Sequence, residues 1–214
     1  MKLKAILLLM LCFISISTYG QSLYCKSYAD YMNNDWISID SLTISTRNNG
    51  QKTWSGGADF KPLTGNKETD KMLKKEARFI IHDDTLYVNC KGLKYQGCGF
   101  GNWYAPGFRY EKDKICFICT KIGKKEAMNM SMFGVLGGAV GGAISASEQM
   151  KKRTCYIINS DDKKVIRMTD KYMEELLSSH PQMLEEFNKM KKKDKESADV
   201  IINYLHQLQV LSKY

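Results

Sequence analysis

Histidine is scarce in this chain. There are three in 214 residues, His82, His180 and His206, far apart in sequence. None belongs to an H-x-x-x-H or H-E-x-x-H pair, so the local spacing of a zinc hydrolase is absent. The phosphate-binding loop is missing as well: the glycine-rich stretch ends Gly142-Ala143-Ile144, where a P-loop needs Lys and then Ser or Thr. Nucleophilic serine or cysteine has no local signature with a histidine and an orienting acid. Cys116-x-x-Cys119 has redox spacing but falls on a strand, where residues three apart face opposite sides. Strands do not alternate with ten-residue helices, which disfavours a parallel doubly wound sheet. These absences leave no catalytic residue, metal or cofactor to assign from the sequence, and the expectation is a non-catalytic protein.

Long hydrophobic runs are also few. The first, Ala5 to Ile16, follows Lys2 and Lys4 and precedes small and polar residues up to Gly20. Twelve residues, all apolar but Ser15, are too few for a stable spanning helix, and the layout is that of a secretory signal peptide cut after Gly20. Neither Cys12 nor Cys25 follows the small residue that a lipid anchor needs. Export to the periplasm, the outer membrane or the exterior is the expectation. Residues 1–20 are then leader, and Cys12 leaves with them.

Six cysteines remain, an even number that in an exported chain suggests disulfides in any of fifteen pairings. Cys90 and Cys98, with Gly92 and Gly97 between them, are the preferred candidates. The formal charge of +9 falls to about +7 without Lys2 and Lys4. Its densest runs are Lys151-Lys152-Arg153 and Asn188 to Lys195; they read as solvated surface, and export argues against a nucleic-acid partner.

Strand patterning dominates residues 21–168. In Trp36 to Ser45 the apolar parity flips between Asp40 and Ser41, which predicts two short strands. Asn66 to Ala77 predicts a surface helix. Three hairpins are expected around Asp83-Asp84, Lys112-Asp113 and Ser160 to Lys163. From Thr169 the chain reads as helical to its end. Thr169 caps one helix, Pro181 opens a second, and Val200, Ile201, Tyr204, Leu205, Leu208 and Leu211 form a stripe suited to packing on the sheet. The fold class is α+β: an antiparallel β-sheet with a glycine-rich helical insert at 128–150 and C-terminal α-helices over 169–214.

Two stretches carry the functional expectations. Ala127 to Ser147 holds no charge, and Gly134, Gly138 and Gly142 recur every four residues beside a second row with Gly137 and Gly141. Such rows let another backbone approach closely, in a membrane or inside a protein; a membrane or helix partner is one expected role. The second stretch is Leu93 to Tyr110, with Tyr95, Asn102, Trp103, Tyr104 and Arg109 as candidate contacts to a glycan or another flat face. Its alternative is plain packing beneath a long loop.

The segments FIIHDDTLYVNC, GFGNWYAPGFRY, FGVLGGAVGGA, CYIINSDDKKVIRM and LLSSHPQMLEEF, in this order, resemble a family of uncharacterised exported proteins of Bacteroidota, a domain of unknown function. The likeness runs from about Glu76 to the C-terminus. It implies export and one shared architecture, and it transfers no active-site residue. The two functions in contention are a cell-envelope binding or assembly protein, and an extracytoplasmic carbohydrate-binding module or hydrolase built on the aromatic loop.

Overall fold

A computed structural model describes residues 21–48, 51, 58–123 and 153–212. Residues 1–20, expected to be a leader, and the glycine-rich stretch with Gly134, Gly137, Gly138, Gly141 and Gly142 lie outside the described residues.

Thirteen strands and six helices are described. The strands are β1 (Ser22–Cys25), β2 (Ile37–Ile39), β3 (Thr43–Thr46), β4 (Phe60–Leu63), β5 (Phe79–His82), β6 (Thr85–Asn89), β7 (Lys94–Tyr95), β8 (Cys98–Gly99), β9 (Tyr104–Tyr110), β10 (Lys114–Thr120), β11 (Arg153–Ile158), β12 (Ile166–Arg167) and β13 (Leu211–Ser212). The helices are α1 (Tyr28–Asn33), α2 (Lys67–Lys75), α3 (Asp170–Leu176), α4 (Pro181–Lys189), α5 (Lys192–Lys195) and α6 (Ala198–Gln207). Eleven strands form one antiparallel sheet: eight follow the order β12-β11-β10-β9-β6-β5-β1-β2, β13 and β4 add to β9, and β3 adds to β4; β7 pairs with β8 alone.

The expected hairpins form. Asp83 and Asp84 both take positive φ, 45° and 56°, between β5 and β6, as a two-residue hairpin turn requires. β9 and β10 close around Lys112-Asp113, and β11 and β12 close around Ser160 to Lys163. The parity flip at Asp40 separates β2, which pairs with β1, from β3, which pairs with β4. The fold is α+β.

β9 organises the sheet because both of its edges are shared. Tyr104 pairs with Asn89 of β6 on one edge and with Phe60 of β4 on the other. At the far end Tyr110 pairs with Lys114 of β10 and with Leu211 of β13. Leu211 therefore belongs to a strand rather than to the helical stripe; Gln209 at φ 56° turns the chain out of α6 first.

Side chains alternate across the sheet and build a core on each side. One face carries Phe79, Val88, Ala105, Phe117, Cys119 and Tyr156 under α1 and the loop that holds Cys90, Leu93 and Phe100. On the other, Cys116, Ile118, Cys155 and Ile157 meet Met173, Phe187, Ile201 and Leu205 of the C-terminal helices. Farther along that face, Ile80 and Tyr104 pack with Leu73 and Ala77 at α2. Cys116 and Cys119 thus point to opposite faces, as strand geometry dictates.

The Cys90–Cys98 bridge expected from spacing is not formed: all six cysteines among the described residues are free thiols. Cys90 turns inward against Cys119, where burial and that contact push its thiol well up. Cys98 stands on β8 opposite Tyr95 and is partly exposed. Burial, helped by Asp30, also pushes Cys25 up to about 12. A thiol reacts as its thiolate. Of the six described cysteines, Cys98 alone is expected to be modified by iodoacetamide in native protein at pH 8, the other five reacting only in denaturant; a mass spectrum showing a native adduct on any of those five would contradict this placement.

Candidate binding site

The site begins where β9 does. Asn102 and Trp103 lead into the strand, and Trp103 sits at φ 80°. For a bulky residue this backbone region is a genuine outlier, costing roughly 1–3 kcal/mol and persisting only where the surroundings fix it. Two main-chain bonds do so. Ala58 N–H donates to Asn102 O at 2.9 Å, and Cys90 N–H donates to Trp103 O at 2.8 Å.

Trp103 is partly exposed, and three cations ring its indole. Lys74 Nζ lies 4.8 Å from the ring centroid, Lys61 Nζ 5.3 Å, and the Arg47 guanidinium 5.8 Å. Each arrives for a separate reason. Lys61 follows Phe60, whose pairing with Tyr104 sets β4 beside the start of β9. Lys74 lies in the last turn of α2, a helix capped at its start by Asn66, whose Oδ1 accepts from Glu68 and Thr69 N–H. The far end of α2 is tied to the sheet: Tyr104 Oη donates to Leu73 O at 2.7 Å, and Asn89 Nδ2 donates to Ala77 O at 2.7 Å. Arg47 leaves β3 and is only 5% exposed. Its Nη1 donates to Ala58 O at 2.7 Å and its Nη2 to Gln51 O at 2.8 Å. Burial pushes this guanidinium down, against the field of Asp59. Asp59 is itself held by Arg153 at 2.7 Å.

Three cations within 6 Å of one centroid lie within about 12 Å of one another. Two unit charges about 10 Å apart repel by roughly 1.7 kcal/mol at an effective dielectric of about 20. The ring offsets part of this, at about 0.5–2 kcal/mol for each cation, and the helix C-terminus helps Lys74. An anion on the lysines would relieve the remainder.

The five residues expected from the aromatic loop do not converge. Trp103 is the centre of the cation cluster, and Asn102 contributes its carbonyl to the frame. Tyr104 is fully buried and serves as the hydrogen-bonded anchor of α2. Tyr95 packs edge-on against Tyr156, centroids 5.8 Å apart. Arg109 stands six residues along β9, roughly 20 Å away at 3.3 Å per residue, and donates to Lys112 O. Arg47, Lys61 and Lys74 lie outside the aromatic loop. No spacing in the sequence links them; only the β4–β9 bridge and the docking of α2 bring them together.

A family profile matches residues 23–212. The chain belongs to the DUF6563 family, a family of unknown function. The match covers every described strand and helix apart from Ser22, so the Trp103 site lies within the shared region of the family. No curated protein and no solved structure matches the chain. Among the described residues, no helix is long and apolar enough to cross a membrane, and no group of three or more His, Cys, Asp or Glu side chains is placed to hold a metal.

Proposed function

We propose that this DUF6563 chain is an exported cell-envelope protein, of the kind the Bacteroidota resemblance implies, that captures anionic saccharides at Trp103. The observation that carries the reading is the ring of three cations around one partly exposed indole on strained backbone. An aromatic face stacks on the C–H face of a sugar ring, and Lys61 and Lys74 supply charge for a uronate or sulfate. The cationic balance of the whole chain favours the same partners by raising their local concentration.

Affinity electrophoresis of the full chain through gels containing polygalacturonate, its fully methyl-esterified form or a sulfated galactan tests the reading. Retardation is expected with the charged polymers and not with the neutral ester, and it weakens as salt is raised because the attraction is screened. Absence of retardation by both charged polymers, or equal retardation by the neutral one, would overturn it.

A further inference from the structure

A second constellation lies at the other end of α2's face of the sheet, where β1 and β5 terminate. The register Leu23↔Ile81 and Tyr24↔Ile80 brings the next residues, Ser22 and His82, opposite each other. Ser22 Oγ is 2.8 Å from His82 Nδ1. His82 Nε2 is 3.3 Å from Asp83 Oδ2. Asp83 can turn back on the imidazole because it opens the β5–β6 hairpin at φ 45°. All three residues line one open cleft of about 850 Å³, with Gln21, Asp40, Ser41 and Thr43 on its walls; Ser22 lies at its floor, 6% exposed.

We propose that Ser22, His82 and Asp83 form a nucleophile–base–orienter chain that hydrolyses short-chain esters. A hydroxyl in hydrogen-bond reach of an imidazole, itself oriented by a third group, is the arrangement that activates serine. In the tautomer that carries its proton on Nε2, facing the Asp83 carboxylate, His82 Nδ1 is the acceptor of the Ser22 proton. Ser22 Oγ bonds to the ester carbonyl carbon while His82 Nδ1 takes the Oγ proton. The ester C–O bond then breaks, and His82 returns that proton to the departing alkoxide. Water repeats the sequence on the acyl-serine, its proton passing through His82 to Ser22 Oγ, and the carboxylic acid leaves.

The walls set the substrate class. Beyond Ile39 and Leu42 the lining is polar, so there is room for an acetyl-sized acyl group and no apolar slot for a long chain. The hydroxyls of Ser38, Ser41 and Thr43 and the Gln21 amide are side-chain donors on the cleft lining available to a developing oxyanion. The Asp83 side chain is 75% exposed and that of His82 16%, so water screens the orienting contact. Esters, which need less help at the leaving group than amides, suit such a base.

The test is labelling of the folded full chain by a fluorophosphonate, with the adduct located by mass spectrometry, beside p-nitrophenyl acetate hydrolysis. Saccharide binding at Trp103 is not needed for this reaction, so the two readings stand or fall separately. The expected adduct is on Ser22. Labelling disappears in Ser22→Ala, slows at least 100-fold in His82→Gln, and slows about 10-fold in Asp83→Asn. Unfolding wild-type protein in urea also abolishes it, a control that holds even if a variant misfolds. A folded wild-type chain that takes no label, or takes it equally in urea or in Ser22→Ala, would overturn the proposal.

Discussion

Gly107→Val is expected to destabilise the protein by at least about 3 kcal/mol and to lower its Tm by roughly 10 °C. Gly107 sits mid-way along β9, between Leu86 of β6 and Phe117 of β10. A Cβ built there would lie 2.8 Å from Val88 Cγ2 and 3.2 Å from Cys116 O. The first contact is with a stiff β-branched side chain that is itself fully buried. The second is with backbone of a strand already bonded on both edges. Against these clashes stands the relief of glycine's backbone entropy, worth only about 0.5–1 kcal/mol in a strand. Overpacking of a tight core costs about 1–3 kcal/mol and occasionally more, and valine adds two methyl groups to the Cβ that already clashes. For a chain of this size each kcal/mol moves Tm by about 2–4 °C. The cause is testable as a coupling. Gly107→Ala combined with Val88→Ala is expected to cost less than the sum of the two single changes, since the second removes the atom that the first would strike. Additive costs in thermal or urea melts would show that Gly107 is there for another reason.

Trp103→Gly is expected to separate binding from stability. Glycine takes φ near 80° without strain, so the substitution recovers part of the roughly 1–3 kcal/mol held in the outlier while removing a partly exposed ring. The two effects oppose, and the melting temperature is expected to stay within about 4 °C of the parent. Affinity for polygalacturonate, in contrast, is expected to fall by at least about 30-fold, as loss of a stacking platform worth about 1–3 kcal/mol together with its positioned cations implies. The pair Lys61→Gln and Lys74→Gln is expected to weaken binding about 10-fold at low salt and to flatten its salt dependence, because the screened part of the attraction is gone. Gel retardation and thermal melts read both outcomes. A large loss of stability in Trp103→Gly with affinity preserved would make the indole a packing residue.

The sequence made the sheet legible wherever short-range chemistry decides. Asp83-Asp84 spelled a tight turn, Thr169 and Pro181 marked helix starts, and the alternation about Asp40 gave two strands. Long-range pairings were hidden. Nothing near Leu211 announces that it crosses to β9, since two residues carry too little pattern to outweigh the helix before them. α1 leaves little sequence pattern for a similar reason: it has six residues, and its support comes from a capping box between Ser27 and Asp30 and from Asp161, whose carboxylate accepts from Tyr28 N–H at 2.6 Å across 133 positions. The aromatic loop was legible as composition but not as geometry. Six rings in eighteen residues looked alike on paper; the alternation of β9 buries Tyr104, the β7–β8 hairpin lays Tyr95 on Tyr156, and the αL turn leaves Trp103 exposed among its cations. Those cations come from the residue after β3, from β4 and from α2, so only the folded sheet could show them. The Ser22–His82 contact was equally invisible, because sixty residues separate its partners until β1 and β5 pair.

The most direct measurement is a titration of the full ¹⁵N-labelled chain with an oligogalacturonate, following the indole N–H signals. The Trp103 signal is predicted to move saturably at low salt and to return as salt is raised, while Trp36, packed edge-on against Tyr31 at 5.6 Å, stays in place. A Trp103 signal that does not move while excess oligosaccharide is present would contradict the assignment of this indole as the saccharide site.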